Sequence, residues 1–290
     1  MHAQGIEGVV PILMYHSISQ EATSAYKPFA VSPGLFIEHI EYLRRHNYTP
    51  MTVTQLAQAR SQESGSLPER PIVLTFDDGL ADFYHSALPV LKQYDFRATL
   101  YVVTAYVNGT SQWLRNKGEE MRPMLSWEQI QEISEQGIEC GGHSHTHRQL
   151  DILPAASARD EIVRSKEELE RHLQRDILTF SYPYGYYTAG IQRMVHDAGY
   201  TSACTVQYTA SSPHDNPFAL TRLNIDSSID TTALEALLKR KETRSPKPRL
   251  KRTLAYAWRL KRYLSALVDA KSKNSEVTTK VGRPQGSPLQ

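Results

Sequence analysis

Cysteine is nearly missing: Cys140 and Cys204 are the only two in 290 residues, and each sits in an apolar stretch. Two isolated thiols cannot form the disulfide framework of a small secreted domain. In such surroundings they act as small hydrophobes, which leaves the redox compartment open. Also lacking is any run of roughly 18 consecutive apolar residues, the length a membrane-crossing helix requires. The opening segment, Met1 to Gly8, has neither a basic start nor the apolar stretch of a secretory leader. The expectation is a protein of the cytoplasm or of the inner membrane face. No sequence repeat of fixed period stands out, which argues against a solenoid.

What is present is enough for a core and more. Hydrophobic residues make up 40% of the chain, and a barrel-like α/β domain takes about 200 to 250 residues as one unit. The net charge of +2 conceals an asymmetry. From residue 239 to the end, fifteen Lys or Arg face three acids, a local net of +12 that leaves −10 for residues 1–238. The expected organisation is a domain over 1–240 and a basic tail over 241–290. An amphipathic helix is expected over 249–268, followed by a stretch rich in Ser, Thr, Lys, Gly and Pro without fixed structure. Such a helix suits the surface of an anionic membrane. Nucleic acid is not expected as a partner, because charge without a recognition motif is weak support for it.

Strand and helix signals alternate along the first 240 residues. Val9 to Ile18 reads as a buried strand ending near His16. Ser32 and Pro33 open a helix through Leu43, residues 61–70 read as a loop, and strand 71–77 leads to a helix near 81–94. Strand 98–103 follows, then a helix capped by Ser126, strand 138–142, and a long charged helix opened by Pro154. Strands near 177–181, 201–206 and 221–226 complete the pattern. Repeated βα units favour a parallel sheet.

The chemistry concentrates in two places. The apolar run Ile72-Val73-Leu74-Thr75-Phe76 ends in Asp77-Asp78-Gly79, and the run from Ile138 to Gly142 ends in His143-Ser144-His145-Thr146-His147. Side chains alternate along a strand, but a glycine turn at its end lets adjacent carboxylates face one cleft. Histidines four apart share one face of a helical turn, and imidazole with carboxylate is a ligand set for a divalent transition metal. Both motifs would lie at the C-terminal ends of strands, where ligands collect in barrel-like α/β folds.

These residues resemble the polysaccharide deacetylases of carbohydrate esterase family 4, the NodB-like domain. Thr75 to Gly79 matches its T-F-D-D-G motif, and His143, Ser144 and His147 match H-[ST]-x-x-H. The resemblance implies an irregular (β/α) barrel, with Asp78, His143 and His147 as metal ligands and Asp77 as general base. Zinc is the expected ion, with cobalt or nickel as alternatives for this ligand set. His145, unmatched, is expected behind the site or exposed. The family's R-x-P-[YF]-G motif appears as Ser181-Tyr182-Pro183-Tyr184-Gly185, without its arginine. Arg222 is the candidate to replace it in orienting Asp77; the alternative is a surface charge beside an edge strand. The resemblance also assigns Pro183 and the Tyr184 N–H to the oxyanion.

The late histidine motif of many family members is absent. The segment ending in Tyr15-His16 looks like that of the subgroup acting on poly-β-1,6-N-acetylglucosamine, which makes His16 the expected general acid. The implied reaction is metal-dependent hydrolysis of an N-acetyl group on a glycan, releasing acetate. The alternative is an inactive glycan-binding module of the same fold. Tyr182, Tyr184, Tyr186, Tyr187, Trp113 and Trp127 gather near the motifs, as either a sugar groove or core and loop anchors.

Overall fold

The computed structural model describes residues 8–61, 66–206, 209–239 and Arg262. In chain order its elements are β1 (Ile12–Tyr15), β2 (Ser17–Ile18), β3 (Ala30–Val31), α1 (Pro33–Arg45), β4 (Thr49–Met51), α2 (Val53–Ser61), β5 (Pro71–Phe76), α3 (Leu88–Gln93) and β6 (Thr99–Val102). There follow α4 (Trp127–Glu135), β7 (Glu139–Gly142), α5 (Ala155–Leu173), β8 (Thr179–Ser181), α6 (Ala189–Asp197), β9 (Ser202–Cys204), β10 (Leu223–Asn224) and α7 (Thr231–Lys239). The expectations for the basic tail fall outside the described residues, Arg262 excepted.

Among the described residues the strands of the main sheet pair in parallel, in the order β10-β1-β5-β6-β7-β8-β9, with β4 added to β5. The far edges meet through one short stretch of chain. Leu220 exchanges hydrogen bonds with β9, giving its N–H to Ala203 O and accepting from Thr205 N–H, both at 2.9 Å. Leu223 and Asn224 then pair with Leu13 and Met14 of β1. The sheet therefore curls into an irregular (β/α) barrel, as the deacetylase resemblance implies.

Alternation along the strands sorts the side chains. Ile72, Leu74 and Phe76 of β5, with Leu100 and Val102 of β6, join the large core shared with the helices. Val73 and Tyr101 belong to a smaller interior cluster with Ile12 and Cys204. Both faces of β5 are covered, which explains its almost continuous apolar sequence. On β7 the crowding requires glycine: a Cβ on Gly142 would lie 2.3 Å from Tyr200 Oη, and one on Gly141 would lie 2.7 Å from the Tyr101 ring.

The helix starts follow their capping signals. Ser32 Oγ accepts Leu35 N–H at 3.2 Å with Pro33 in the first turn, and Ser126 forms a reciprocal capping box with Gln129. Two expected elements differ in form. The strand read over 9–18 breaks at His16, because Ser17 and Ile18 leave the barrel to pair with Ala30 and Val31. The helix read over 81–94 begins as a π-turn, Phe83–Ala87, before α3. Pro89 has no N–H to offer the carbonyl of residue 85, and Leu88 N–H instead reaches Phe83 O. Both cysteines are buried free thiols, and among the described residues no helix is long and apolar enough to cross a membrane.

Candidate metal centre and active site

The inward row of β5 runs Val73, Thr75, Asp77, so the first carboxylate continues the strand's interior face. Its N–H still follows the β1 pairing, donating to Tyr15 O at 3.0 Å. The next two residues leave the strand. Asp78 (φ 80°) and Gly79 (φ 77°) are both left-handed, which breaks the alternation and brings the second carboxylate into the same cleft. Both are buried, each 3% exposed.

Asp78 meets the histidines. Its Oδ1 lies 3.3 Å from His147 Nε2 and 3.6 Å from His143 Nε2, and one ligand atom from each residue falls within 4.8 Å of the others. His143 Nδ1 is 2.8 Å from the Ser181 carbonyl. A carbonyl can only accept, so Nδ1 carries the proton and the Nε2 lone pair faces the cluster. Burial lowers the proton affinity of both rings, and the neighbouring His143 lowers that of His147 further. Burial, then Asp77 and Asp82, push the Asp78 carboxyl up to about 8.

The residues fit a divalent cation. Asp78 Oδ1 is buried and accepts no hydrogen bond from any described residue, and two imidazole nitrogens beside it are not charged partners. A carboxylate in that setting is short of positive charge, which a metal of the zinc class would supply.

The path between the two ligand histidines is not the helical turn that their spacing suggests. Residues 143–147 form an irregular loop, with Ser144 (φ 61°) and His147 (φ 59°) left-handed. Four-residue spacing is met by a tight loop instead, in which Ser144 Oγ accepts His147 N–H at 3.0 Å. His145 turns the other way, its Nδ1 3.0 Å from Thr104 Oγ1 and 3.5 Å from Glu168.

Asp77 is held by Arg222. The guanidinium forks onto it, Nη1 to Oδ1 at 2.6 Å and Nη2 to Oδ2 at 2.8 Å, and also donates to Thr75 Oγ1, Ser181 Oγ and Thr205 O. Burial opposes ionisation of Asp77, but the guanidinium outweighs it and holds the carboxyl well below the usual range. Arg222 is fully buried, not a surface charge. It reaches this place because the segment 220–224 joins the two sheet edges. Ser181 stands where the third motif has its arginine, and there its Oγ takes a bond from Arg222 Nη2 at 2.9 Å.

The remaining candidates surround this core. His16 is close enough to Asp77, His143 and His147 for its charge to act on them, and burial pushes its ring down to about 4. Its Nδ1 has no partner among the described residues. Pro183 is buried, and Tyr184 follows in left-handed backbone (φ 60°), its ring 4.7 Å from His147 and 47% exposed. Trp113 covers another side of His147 at 5.1 Å, whereas Trp127 stacks on His172 of α5 at 3.9 Å. One face of Trp127 is thus covered by α5. Tyr182 is core, its hydroxyl donating to Phe218 O at 3.0 Å. Thr75, Ser144 and Ser181 lay within the quoted motifs without an assigned contact; their small hydroxyl side chains on inward or turn positions were the available signal.

Fold and cluster together define a parallel α/β barrel protein with a buried site fit for one divalent cation beside an ionised carboxylate. Residues 64–203 match the family model for polysaccharide deacetylase. The chain is 27% identical to YxkH of Bacillus subtilis (strain 168), whose name assigns it provisionally to the polysaccharide deacetylases, over 79% of this chain and 76% of that protein. It is 25% identical to the poly-beta-1,6-N-acetyl-D-glucosamine N-deacetylase of Staphylococcus aureus (strain MRSA252), over 74% and 72% of the two chains. Among solved structures, the Streptococcus pyogenes deacetylase PplD in complex with acetate superposes with TM-score 0.70 at 26% identity, covering 80% of this chain and 99% of that one. IcaB from Ammonifex degensii shares the fold, with TM-score 0.67 at 23% identity over 80% and 97%. The resemblance to the polysaccharide deacetylase family that the motifs carry is thereby shown.

Proposed function

We propose that this protein removes N-acetyl groups from an N-acetylated polysaccharide or glycan intermediate, using one divalent metal, zinc by default, held by Asp78, His143 and His147. The observation that carries this reading is the convergence of those three buried ligand atoms beside a second carboxylate that a guanidinium keeps ionised. The named activity of the Staphylococcus aureus relative supports the choice of substrate class. A metal bound there would supply Lewis acidity, lowering the pKa of a coordinated water and polarising the acyl oxygen.

The chain's own groups divide the remaining work. Asp77, fixed on both oxygens by Arg222, orients the attacking water and takes its proton. The fork lowers its basicity, so the proton is held only transiently. The N–H of Tyr184, in the turn that Pro183 opens, offers a donor to the developing oxyanion. His16 delivers a proton to the departing nitrogen. Burial leaves its free ring neutral near pH 7, so the proton it gives is the one Asp77 took from the water, handed on to His16 as negative charge builds on the scissile group and then passed to the nitrogen. Tyr184 and Trp113, flanking His147, offer aromatic faces to a sugar ring.

Acetate release from acetylated glucosamine oligomers of both β-1,4 and β-1,6 linkage, with and without chelator and after metal restoration, tests the reading. Release that stops with chelator and returns with Zn2+ supports it. Metal-replete protein that binds these oligomers without releasing acetate would instead indicate an inactive binding module, and chelator-insensitive release would remove the metal from the account.

A further inference from the structure

The loop between His143 and His147 has no regular structure to hold it, yet both rings must face Asp78. Much of its support comes from one residue of α5. Glu161, 6% exposed, accepts Thr146 N–H on Oε2 at 2.7 Å and the Thr146 hydroxyl on Oε1. Its main-chain oxygen accepts His145 N–H at 3.0 Å. Three donors from two consecutive loop residues therefore end on a single helical residue. The opposite side of the loop is tied more lightly, through Ala105 N–H to His145 O at 2.9 Å and the contact of Thr104 with the His145 ring.

The residue after Thr146 is His147, in left-handed backbone that a histidine keeps only where its surroundings over-determine it. We propose that Glu161 is a positioning residue for the metal centre: its carboxylate pins Thr146 and so sets the spacing of His143 and His147 against Asp78. The proposal rests on the metal reading above. It accounts for a buried acid on the inner side of an otherwise highly charged helix, facing none of the reacting groups directly.

The chemistry of the side chains provides graded variants. A carboxylate is acceptor-only and takes the N–H and O–H together. In Glu161→Gln the amide oxygen can keep the N–H while its NH2 donates to the Thr146 oxygen, since a hydroxyl both gives and accepts. Glu161→Ala keeps neither contact. Thr146→Val removes the hydroxyl alone from the loop side and leaves α5 untouched.

Zn2+ affinity of the full-length chain, measured by competition with a chromophoric chelator, reads the proposal, alongside the melting temperature of the metal-free protein and the visible spectrum of the Co2+ form. Glu161→Ala should weaken Zn2+ binding by about tenfold, the lower end of the cost of losing a direct partner of a ligand, because Glu161 acts through Thr146 rather than on a ligand itself. Its Co2+ spectrum should change as well. Glu161→Gln should stay within about threefold of wild type, and Thr146→Val should add nothing when combined with Glu161→Ala, because both remove one contact. Wild-type Zn2+ affinity in Glu161→Ala overturns the proposal while leaving the metal reading intact; if that variant fails to fold, wild-type affinity in Glu161→Met, which fills the space but accepts neither bond, overturns it instead. Absence of stoichiometric Zn2+ binding by the wild type overturns the metal reading and this proposal with it.

Discussion

Replacing Arg222 by methionine would leave the Asp77 carboxylate buried without its counter-charge. Five contacts would be lost: both carboxylate oxygens of Asp77, the hydroxyls of Thr75 and Ser181, and Thr205 O. Breaking one side of a buried pair costs about 3–5 kcal/mol, because a charge remains where water cannot reach it. For a domain of this size, about 2–4 °C of melting temperature per kcal/mol converts that to a fall of about 6–20 °C. The loss should depend on pH in a definite direction. In the wild type the depressed Asp77 pKa gives stability that is present above the unfolded carboxylate value of about 3.9 and is lost only as pH falls through the lower folded value. In Arg222→Met burial loses its main opponent, with His143 and His16 left as weaker ones, so the folded Asp77 pKa moves up past the unfolded value. Between those values the native state binds the extra proton, and stability falls with rising pH by up to about 1.4 kcal/mol per pH unit. The deficit against wild type should therefore be larger at pH 8 than at pH 5. Urea unfolding at both pH values, with chelator present so that the metal ligands are equivalent, measures it. Adding Asp77→Asn should recover much of the loss, because the stranded charge is gone. A deficit below about 1 kcal/mol at pH 8, or one equal at the two pH values, would refute the electrostatic account of this pair.

Asp77→Asn alone should lower the rate of acetate release by about two to four powers of ten, the usual worth of a positioned base, while Zn2+ binding persists by competition titration. Loss of metal binding in that variant would count against separating its role from that of Asp78. His147→Ala should abolish stoichiometric Zn2+ binding, read by metal analysis after gel filtration. Trp127→Ala should leave KM for glycan oligomers unchanged and cost about 1 kcal/mol in a melt, if the role of the ring is the stack it makes on His172. Gly142→Ala should destabilise by about 1–3 kcal/mol, the cost of overpacking, because its Cβ would meet Tyr200 Oη.

The parts of the fold that were legible in the sequence are those whose burial has a period. β5 reads as an unbroken apolar run because both its faces are covered, and α1 and α4 announce themselves through Ser32 and Ser126. Of the elements not read, β4 is three residues with a proline at its centre. The short helices α2, α6 and α7 did carry capping signals, since Thr52, Thr188 and Asp230 accept the N–H of Gln55, Ile191 and Ala233. Arg222 could only be a candidate, because its contact with Asp77 spans 145 residues of chain. What brings it there is closure of the sheet through Leu220 and the two-residue strand β10, and no local pattern encodes that closure. The stack of Trp127 on His172 was not legible for a related reason: aromatic composition near a motif does not say which partner a ring will cover, and His172 is supplied by a different helix.

The cleft itself lies where periodicity stops. Asp78, Ser144, His147 and Tyr184 all take left-handed backbone, at roughly 1–2 kcal/mol each for residues other than glycine. Their flanking glycines, Gly79 and Gly185, are the visible markers, and both are left-handed too. Nothing in the residue type marks Tyr184, since a bulky side chain is a poor choice for that conformation, and histidine at 147 is only a weak marker of it. Specific bonds offset the cost: Ser144 Oγ on His147 N–H, Glu161 on Thr146, and the β-strand ladder that delivers Asp77 before the chain turns at Asp78. A regular strand would point Asp77 and Asp78 to opposite faces. The backbone distortion is therefore the step that turns two adjacent carboxylates into one site, with one held by a guanidinium and the other left facing two imidazoles.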